Sequence, residues 1–229
     1  MDKIDTNRAV GSIVAEIPKA AELFMEYRID FCCGGDRPLA EVLGERGIDG
    51  NEILPRLEEI QEKQAIEAEQ TDFRKMTPVE LIDYIENTHH VFVKKTLPMI
   101  GDLSTTVLRA HGRNHEELFR VHKLFNNLKT ELEEHLIKEE EMLFPKIREA
   151  QNNPASGNGE EIRKLVNETE DEHETAGAVL KELRDITSDY TVPADGCPTY
   201  RLVYDKLQEL EADLFQHIHL ENNVLFPKI

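Results

Sequence analysis

One element occurs twice in this chain and restricts its fold more than any other feature. Residues 135–147 read HLIKEEEMLFPKI and residues 217–229 read HIHLENNVLFPKI, so His-x-x-x-Glu, a hydrophobic turn and Leu-Phe-Pro-Lys-Ile recur in distant stretches. A helix advances about 100° per residue, which sets His135 with Glu139, and His217 with Glu221, one turn apart on one helix face. Two such faces turned toward each other make a metal site. The shared Leu-Phe-Pro-Lys reads as packing and helix termination, with Phe144 and Phe226 sealing one end of a bundle.

Periodicity around each copy extends the argument. Val203, Leu207, Leu210, Leu214, His217, Glu221 and Val224 alternate steps of four and three, and Val121, Leu124, Leu128, Leu132, His135, Glu139 and Met142 do nearly the same. A third stripe runs Ile162, Val166, Thr169, His173, Ala176, Leu180 and Leu183. Each is an apolar seam with polar, metal-capable residues at core positions. Left unpartnered, such groups cost roughly 1–3 kcal/mol each. The expected fold is all-α, an up-down four-helix bundle. Helix A starts at the Thr77-Pro78-x-Glu80 cap and runs to about Pro98. Helix B covers about 114–148, helix C about 159–187 and helix D about 198 to the last residues, with turns at 152–159 and 193–198. A bundle with inward histidine and carboxylate pairs is the usual frame for two irons. Carboxylates bridge the cations while histidines cap each one and leave positions open. Zinc more often recruits cysteine or settles for one site.

Helix A must complete the set and offers His89 and His90. The heptad Ile82, Ile85, His89, Phe92, Thr96 favours His89. His115 and His122 fall about 200° and 220° around helix B from His135 and read as solvated, as does His111. His219 should also point away from the seam. Glu140 and Glu141 read as a solvated face beside it, whereas Glu131 and Glu172 are candidates to face inward and support the ligands.

The organisation expected is a small helical domain at 1–61, a polar linker at 62–75 and the bundle at 76–229. In the first, Cys32-Cys33-Gly34-Gly35 joins adjacent thiols to a flexible reversal. This is either a buried pair in a turn or a redox or metal-handling pair. Adjacent cysteines bridge only with strain, and Cys197 carries no signal of its own. A net charge of −19 argues against nucleic acid and anionic membrane as partners. The opening residues lack the apolar core of a secretory signal, and no stretch approaches a membrane span. Three cysteines make no disulfide framework, so a reducing, cytoplasmic setting is the expectation.

Taken together, Asp30-Phe31-Cys32-Cys33-Gly34-Gly35, LIDYI at 81–85, HLIKEE at 135–140, DEHETAG at 171–177 and HIHLENNVLFP at 217–227 give the chain a resemblance over nearly its whole length. It resembles the iron–sulfur cluster repair di-iron proteins, the RIC family, with a hemerythrin-like bundle. The Cys-Cys-Gly-Gly turn joined to the bundle is the specific part. The resemblance implies a non-haem centre of two iron ions, oxo- and carboxylate-bridged, held by His90, His135, Glu139, His173, His217 and Glu221. It thus prefers His90 where the heptad prefers His89. It also implies a cytoplasmic homodimer that restores iron–sulfur clusters damaged by nitric oxide or oxidants, acting on damaged iron–sulfur proteins. Iron donation is the leading mechanism, with Cys32 and Cys33 as a movable thiol arm. The alternatives are a nitric oxide reductase and a hemerythrin-like sensor binding O2 or nitric oxide.

Overall fold

A computed structural model describes residues 4–66, 72–153 and 159–229. Among the described residues the fold is all-α, the one strand-like contact being an isolated bridge between Ala9 and Pro38. By contact the chain divides into residues 1–81 with 215–229, and residues 82–214. Of the linker expected at 62–75, residues 67–71 lie outside the described residues, as do 154–158 of the turn expected at 152–159.

The first unit begins with α1 (Val10–Glu16), α2 (Ala20–Glu26), α3 (Leu39–Arg46) and α4 (Gly50–Ile66). Proline and glycine end the first and third of these, and α2 stops where Arg28 takes a left-handed φ of 55°. Pro18 disfavours helical backbone at Ile17, which leaves α1 at φ −124° and ψ 78°. Gly47 closes α3 in the left-handed conformation at φ 64°, its N–H reaching back to the last turn. Phe31 lies at the centre of the unit, 6.4 Å from the Phe24 ring and edge-on to Phe215 at 6.1 Å. Helix α4 continues to Ile66, and Phe73 is buried from a 3-10 turn at Phe73–Lys75. Near the last residue, Lys228 Nζ donates to the carbonyls of Arg74 and Met76 at 2.8 and 2.7 Å.

Helix α5 (Pro78–Ile85) starts as expected, with a reciprocal cap: Thr77 N donates to Glu80 Oε2 at 2.8 Å and Glu80 N to Thr77 Oγ1 at 3.3 Å. A π-helical turn at Glu86–His90 leads into α6 (Val91–His111). Helix A therefore does not end at Pro98. Pro98 removes one backbone bond, but Leu97, Ile100 and Val107 are buried on the same helix, and α6 packs against α7 (Glu117–Lys138), which offsets that loss. A second π-helical turn, Glu139–Leu143, joins α7 to α8 (Phe144–Asn152). Pro145 sits in the first turn of α8, where a missing N–H costs little, so the first Leu-Phe-Pro-Lys continues a helix instead of stopping one. Then come α9 (Gly159–Ile186), which packs on α7, and α10 (Pro198–Leu220). A third π-helical turn, Glu221–Leu225, and a 3-10 turn, Phe226–Lys228, follow.

Each π-helical turn holds one residue more than an α turn and advances the face that follows. The heptad through helix B therefore slips after Glu139: Met142, expected in the seam, is 46% exposed, and Leu143 is buried in its place. In helix A, Phe92, expected in the seam, is only half-buried, and Val93 is buried beside it.

Candidate metal centre

Each of the three π-helical turns carries one of the clustered side chains. His90 is the last residue of the first, Glu139 the first of the second and Glu221 the first of the third. His90, His135, Glu139, His173, His217 and Glu221 are each 5% exposed or less. His135 Nε2 lies 3.3 Å from Glu139 Oε2, and His90 Nε2 approaches the same oxygen at 3.4 Å. His173 Nε2 is 3.3 Å from His135 Nε2, and His217 Nε2 is 3.2 Å from Glu221 Oε1. These six side chains fall into two groups of four, each with ligand atoms within 4.8 Å of one another. One is His90, Glu139, His217 and Glu221; the other is His135, Glu139, His173 and Glu221. Both carboxylates belong to both groups.

That arrangement suits a pair of cations. Two carboxylates this close and fully buried repel one another and are costly to desolvate, and positive charge between them relieves both terms. Two imidazole nitrogens facing each other at 3.3 Å have at most one proton to share in the neutral state, whereas each can direct a lone pair at a metal. The set of four imidazoles and two carboxylates is a nitrogen–oxygen donor set compatible with iron.

Outer carboxylates orient the rings. Glu172 Oε2 is 2.7 Å from His135 Nδ1, and Lys138 Nζ bonds the other oxygen of Glu172 at 2.7 Å. The hydrogen bond to His135, helped by Lys138, holds the Glu172 carboxyl down at about 2 against the opposing effect of burial. Glu140 Oε1 lies 2.7 Å from His90 Nδ1 and accepts from Lys94 at 2.7 Å. Burial pushes the Glu140 carboxyl up, and the bonds from Lys94 and His90 outweigh it, so it ends below its ordinary value. An ionised carboxylate at Nδ1 fixes the proton there and turns the Nε2 lone pair inward. Of the two considered, Glu172 reaches a candidate ligand, from a side chain itself 46% exposed, and Glu131 is exposed as well. Glu140 was expected to be solvated; only the π-helical turn, which no periodic reading anticipates, brings it against His90. Phe144 stacks on His90 with ring centroids 5.7 Å apart.

His89 belongs to neither group. Its Nδ1 lies 2.9 Å from Asp213 Oδ1 and its ring meets Tyr84 edge-on. His115 is held by Asp195 at 3.0 Å and Glu117 at 3.1 Å, and the Asp195 contact raises its pKa. His122 Nε2 lies 3.1 Å from Thr105 Oγ1. His219 points away from the seam, as expected, but not into water. It is 1% exposed, with Nδ1 3.2 Å from Phe31 O, and burial lowers its pKa to about 4.

The two adjacent thiols differ. Asp30 Oδ1 accepts from the backbone N–H of Cys32, Cys33 and Gly34 at 3.1, 3.1 and 3.2 Å and from Cys32 Sγ at 3.2 Å, closing the turn tightly. Cys32 is buried, and the Cys33 contact, burial and the Asp30 charge raise its pKa well above the ordinary thiol value. Cys33 is half-buried, and the two sulfurs are 3.8 Å apart without a disulfide. Cys197 has its pKa lowered to about 7 by the Tyr200 backbone N–H and by His111, a signal its flanking glycine and proline did not carry.

Residues 80–229 match the family model described as the Hemerythrin HHE cation binding domain, and residues 6–61 match a domain of unknown function, DUF542. The chain is 31% identical over 226 residues to the iron–sulfur cluster repair protein ScdA of Staphylococcus haemolyticus, covering 98% of this chain and 99% of the relative. It is 33% identical over 222 residues to ScdA of Staphylococcus epidermidis, with 96% of each chain covered. Against the iron–sulfur cluster repair protein YtfE of Escherichia coli it is again 33% identical over 222 residues, covering 97% of this chain and 96% of the relative. With a hemerythrin HHE domain following the domain that carries Cys32 and Cys33, the chain belongs to the iron–sulfur cluster repair protein family.

Proposed function

We propose that this protein restores damaged iron–sulfur clusters by delivering iron from a non-haem centre of two iron ions. The observation that carries the reading is the pair of overlapping four-residue groups sharing Glu139 and Glu221. In this reading His90, His135, Glu139, His173, His217 and Glu221 would hold the irons, Glu139 and Glu221 belonging to both groups. Bound iron would supply redox chemistry and open coordination for nitric oxide or dioxygen. Glu140 and Glu172 hold the protons of His90 and His135 at Nδ1, away from the metal side. Phe144, stacked on His90, keeps water from that flank.

Four neutral imidazoles and two carboxylates compensate a ferrous pair only modestly, which favours release over permanent storage. Cys33, the more accessible of the adjacent thiols, is the member of the pair suited to meet iron or a recipient thiol, and Cys32 stands behind it. We assign damaged iron–sulfur proteins as recipients, the cytoplasm as the site of action and a homodimer as the assembly. These three follow the family resemblance. Among the described residues no helix is long and apolar enough to cross a membrane.

Isotope transfer tests the proposal. Protein loaded with 57Fe is mixed anaerobically with an iron–sulfur enzyme damaged by nitric oxide, and label in the repaired cluster is measured beside regained activity. Label appearing in the recipient in proportion to activity is expected. Repair without label would overturn donation. Catalytic nitrous oxide production with an electron donor would point to a nitric oxide reductase, and reversible gas binding without iron loss to a sensor.

A further inference from the structure

The third π-helical turn does two things at once. Glu221, its first residue, is fully buried beside His217, whereas Asn223, two residues later, grips the thiol turn. Asn223 Nδ2 donates to Cys32 O at 2.9 Å and approaches Phe31 O at 3.4 Å. His219, one turn earlier, donates from Nδ1 to the same Phe31 carbonyl at 3.2 Å, with its ring edge-on to Phe31 at 5.7 Å.

The fit around Asn223 is built for this contact. A Cβ on Gly35 would lie 2.5 Å from Asn223 Oδ1 and 2.6 Å from Phe31 O, and a Cβ on Gly11 would lie 2.6 Å from the same Asn223 oxygen. Gly11 N in turn donates to Gly35 O at 2.7 Å. Two glycine backbones therefore close on one amide side chain, an approach that any larger residue at either position would prevent.

We propose that Asn223 is a positioning residue that clasps the Cys32-Cys33 turn to the π-helical turn carrying Glu221, so that metal occupancy controls the accessibility of Cys33. The proposal deepens the reading above and rests on Glu221 being a ligand. A π-helical turn is a strained segment with an α-helical alternative one residue out of register. Coordination through Glu221 favours the π form. Without it, the turn redistributes toward forms in which Asn223 no longer faces Cys32 O, and the clasp loosens. This is a population shift set by differential affinity for the two forms. Delivery of iron would then expose the thiol turn, and loading would cover it.

The test measures maleimide labelling of Cys33, located by peptide mass, in full-length Cys197→Ser protein under anaerobic conditions. Labelling is expected to be at least tenfold faster after iron removal than in the loaded protein. Asn223→Asp keeps the side chain's shape but removes the donor. It should label fast in both states while still binding two irons per chain, an uncoupling that a merely structural defect would not give. Equal rates in loaded and iron-free Asn223 protein would overturn the proposal without any variant being needed. Wild-type labelling behaviour in Asn223→Asp would also overturn it. If the wild type takes up no iron, the metal reading falls and the coupling with it. If repair fails while labelling still follows iron, the clasp stands and the donation reading falls.

Discussion

Glu172 and Glu140 illustrate how the candidate ligands are oriented by the residues just behind them. Each carboxylate sits 2.7 Å from the Nδ1 of a candidate ligand, His135 or His90, and each is tied to a lysine. Glu172→Gln should lower iron affinity 10–100-fold with little change in fold, because the amide no longer imposes the tautomer that points Nε2 inward. Competition with a coloured chelator measures this, and unchanged affinity would remove Glu172 from the site. Periodicity singles out His135, Glu139, His173, His217 and Glu221, which the structure clusters, because each falls on an apolar stripe where an isolated polar group is expensive. It favours His89 over His90; both are buried, and the one in the cluster is His90, the last residue of a π-helical turn that a constant twist does not anticipate.

At the scale of elements, those turns are the part of the fold that a heptad reading misses. Sequence periodicity assumes a constant twist, and Met142 and Leu143 exchange roles where the twist changes. Deleting the exposed Glu141 should convert Glu139–Leu143 to regular helix, turn Met142 inward and cost at least half the bound iron while far-UV helicity persists. Iron analysis beside circular dichroism checks it. The bundle also carries a buried ion pair, Arg184 with Glu211, joined by bonds of 3.0 and 2.6 Å between α9 and α10. Arg184→Met should destabilise by about 3–5 kcal/mol, because it strands a fully buried carboxylate. Burial raises the Glu211 carboxyl above its ordinary value of 4.5 even with Arg184 present. A group whose folded value lies above its unfolded one contributes most below the unfolded value and loses that contribution as pH rises through the folded one. The drop in denaturation midpoint for Arg184→Met should therefore be larger at pH 7 than at pH 5. The double change Arg184→Met, Glu211→Leu should recover most of the loss.

For the whole molecule, the helical class, the order of the bundle helices and the repeated His-x-x-x-Glu element were legible because amphipathic periodicity and capping residues are local signals. The grouping of residues 215–229 with 1–81 was not. It depends on His219 and Asn223 meeting Phe31 and Cys32, and on Lys228 meeting Arg74 and Met76, and nothing in the local pattern marks those pairs. The repeat that first restricts the fold therefore has two different ends: after Glu139 the chain continues into α8, and after Glu221 it turns to hold the thiol turn. The central claim is that the six clustered side chains hold the iron used for repair. Its most direct test measures iron per chain together with reactivation of a damaged iron–sulfur enzyme, for wild type and His135→Ala. Two irons per chain with full reactivation in the wild type, and loss of both in His135→Ala, are the predicted result. Undiminished reactivation by a His135→Ala protein that holds no iron would contradict the account.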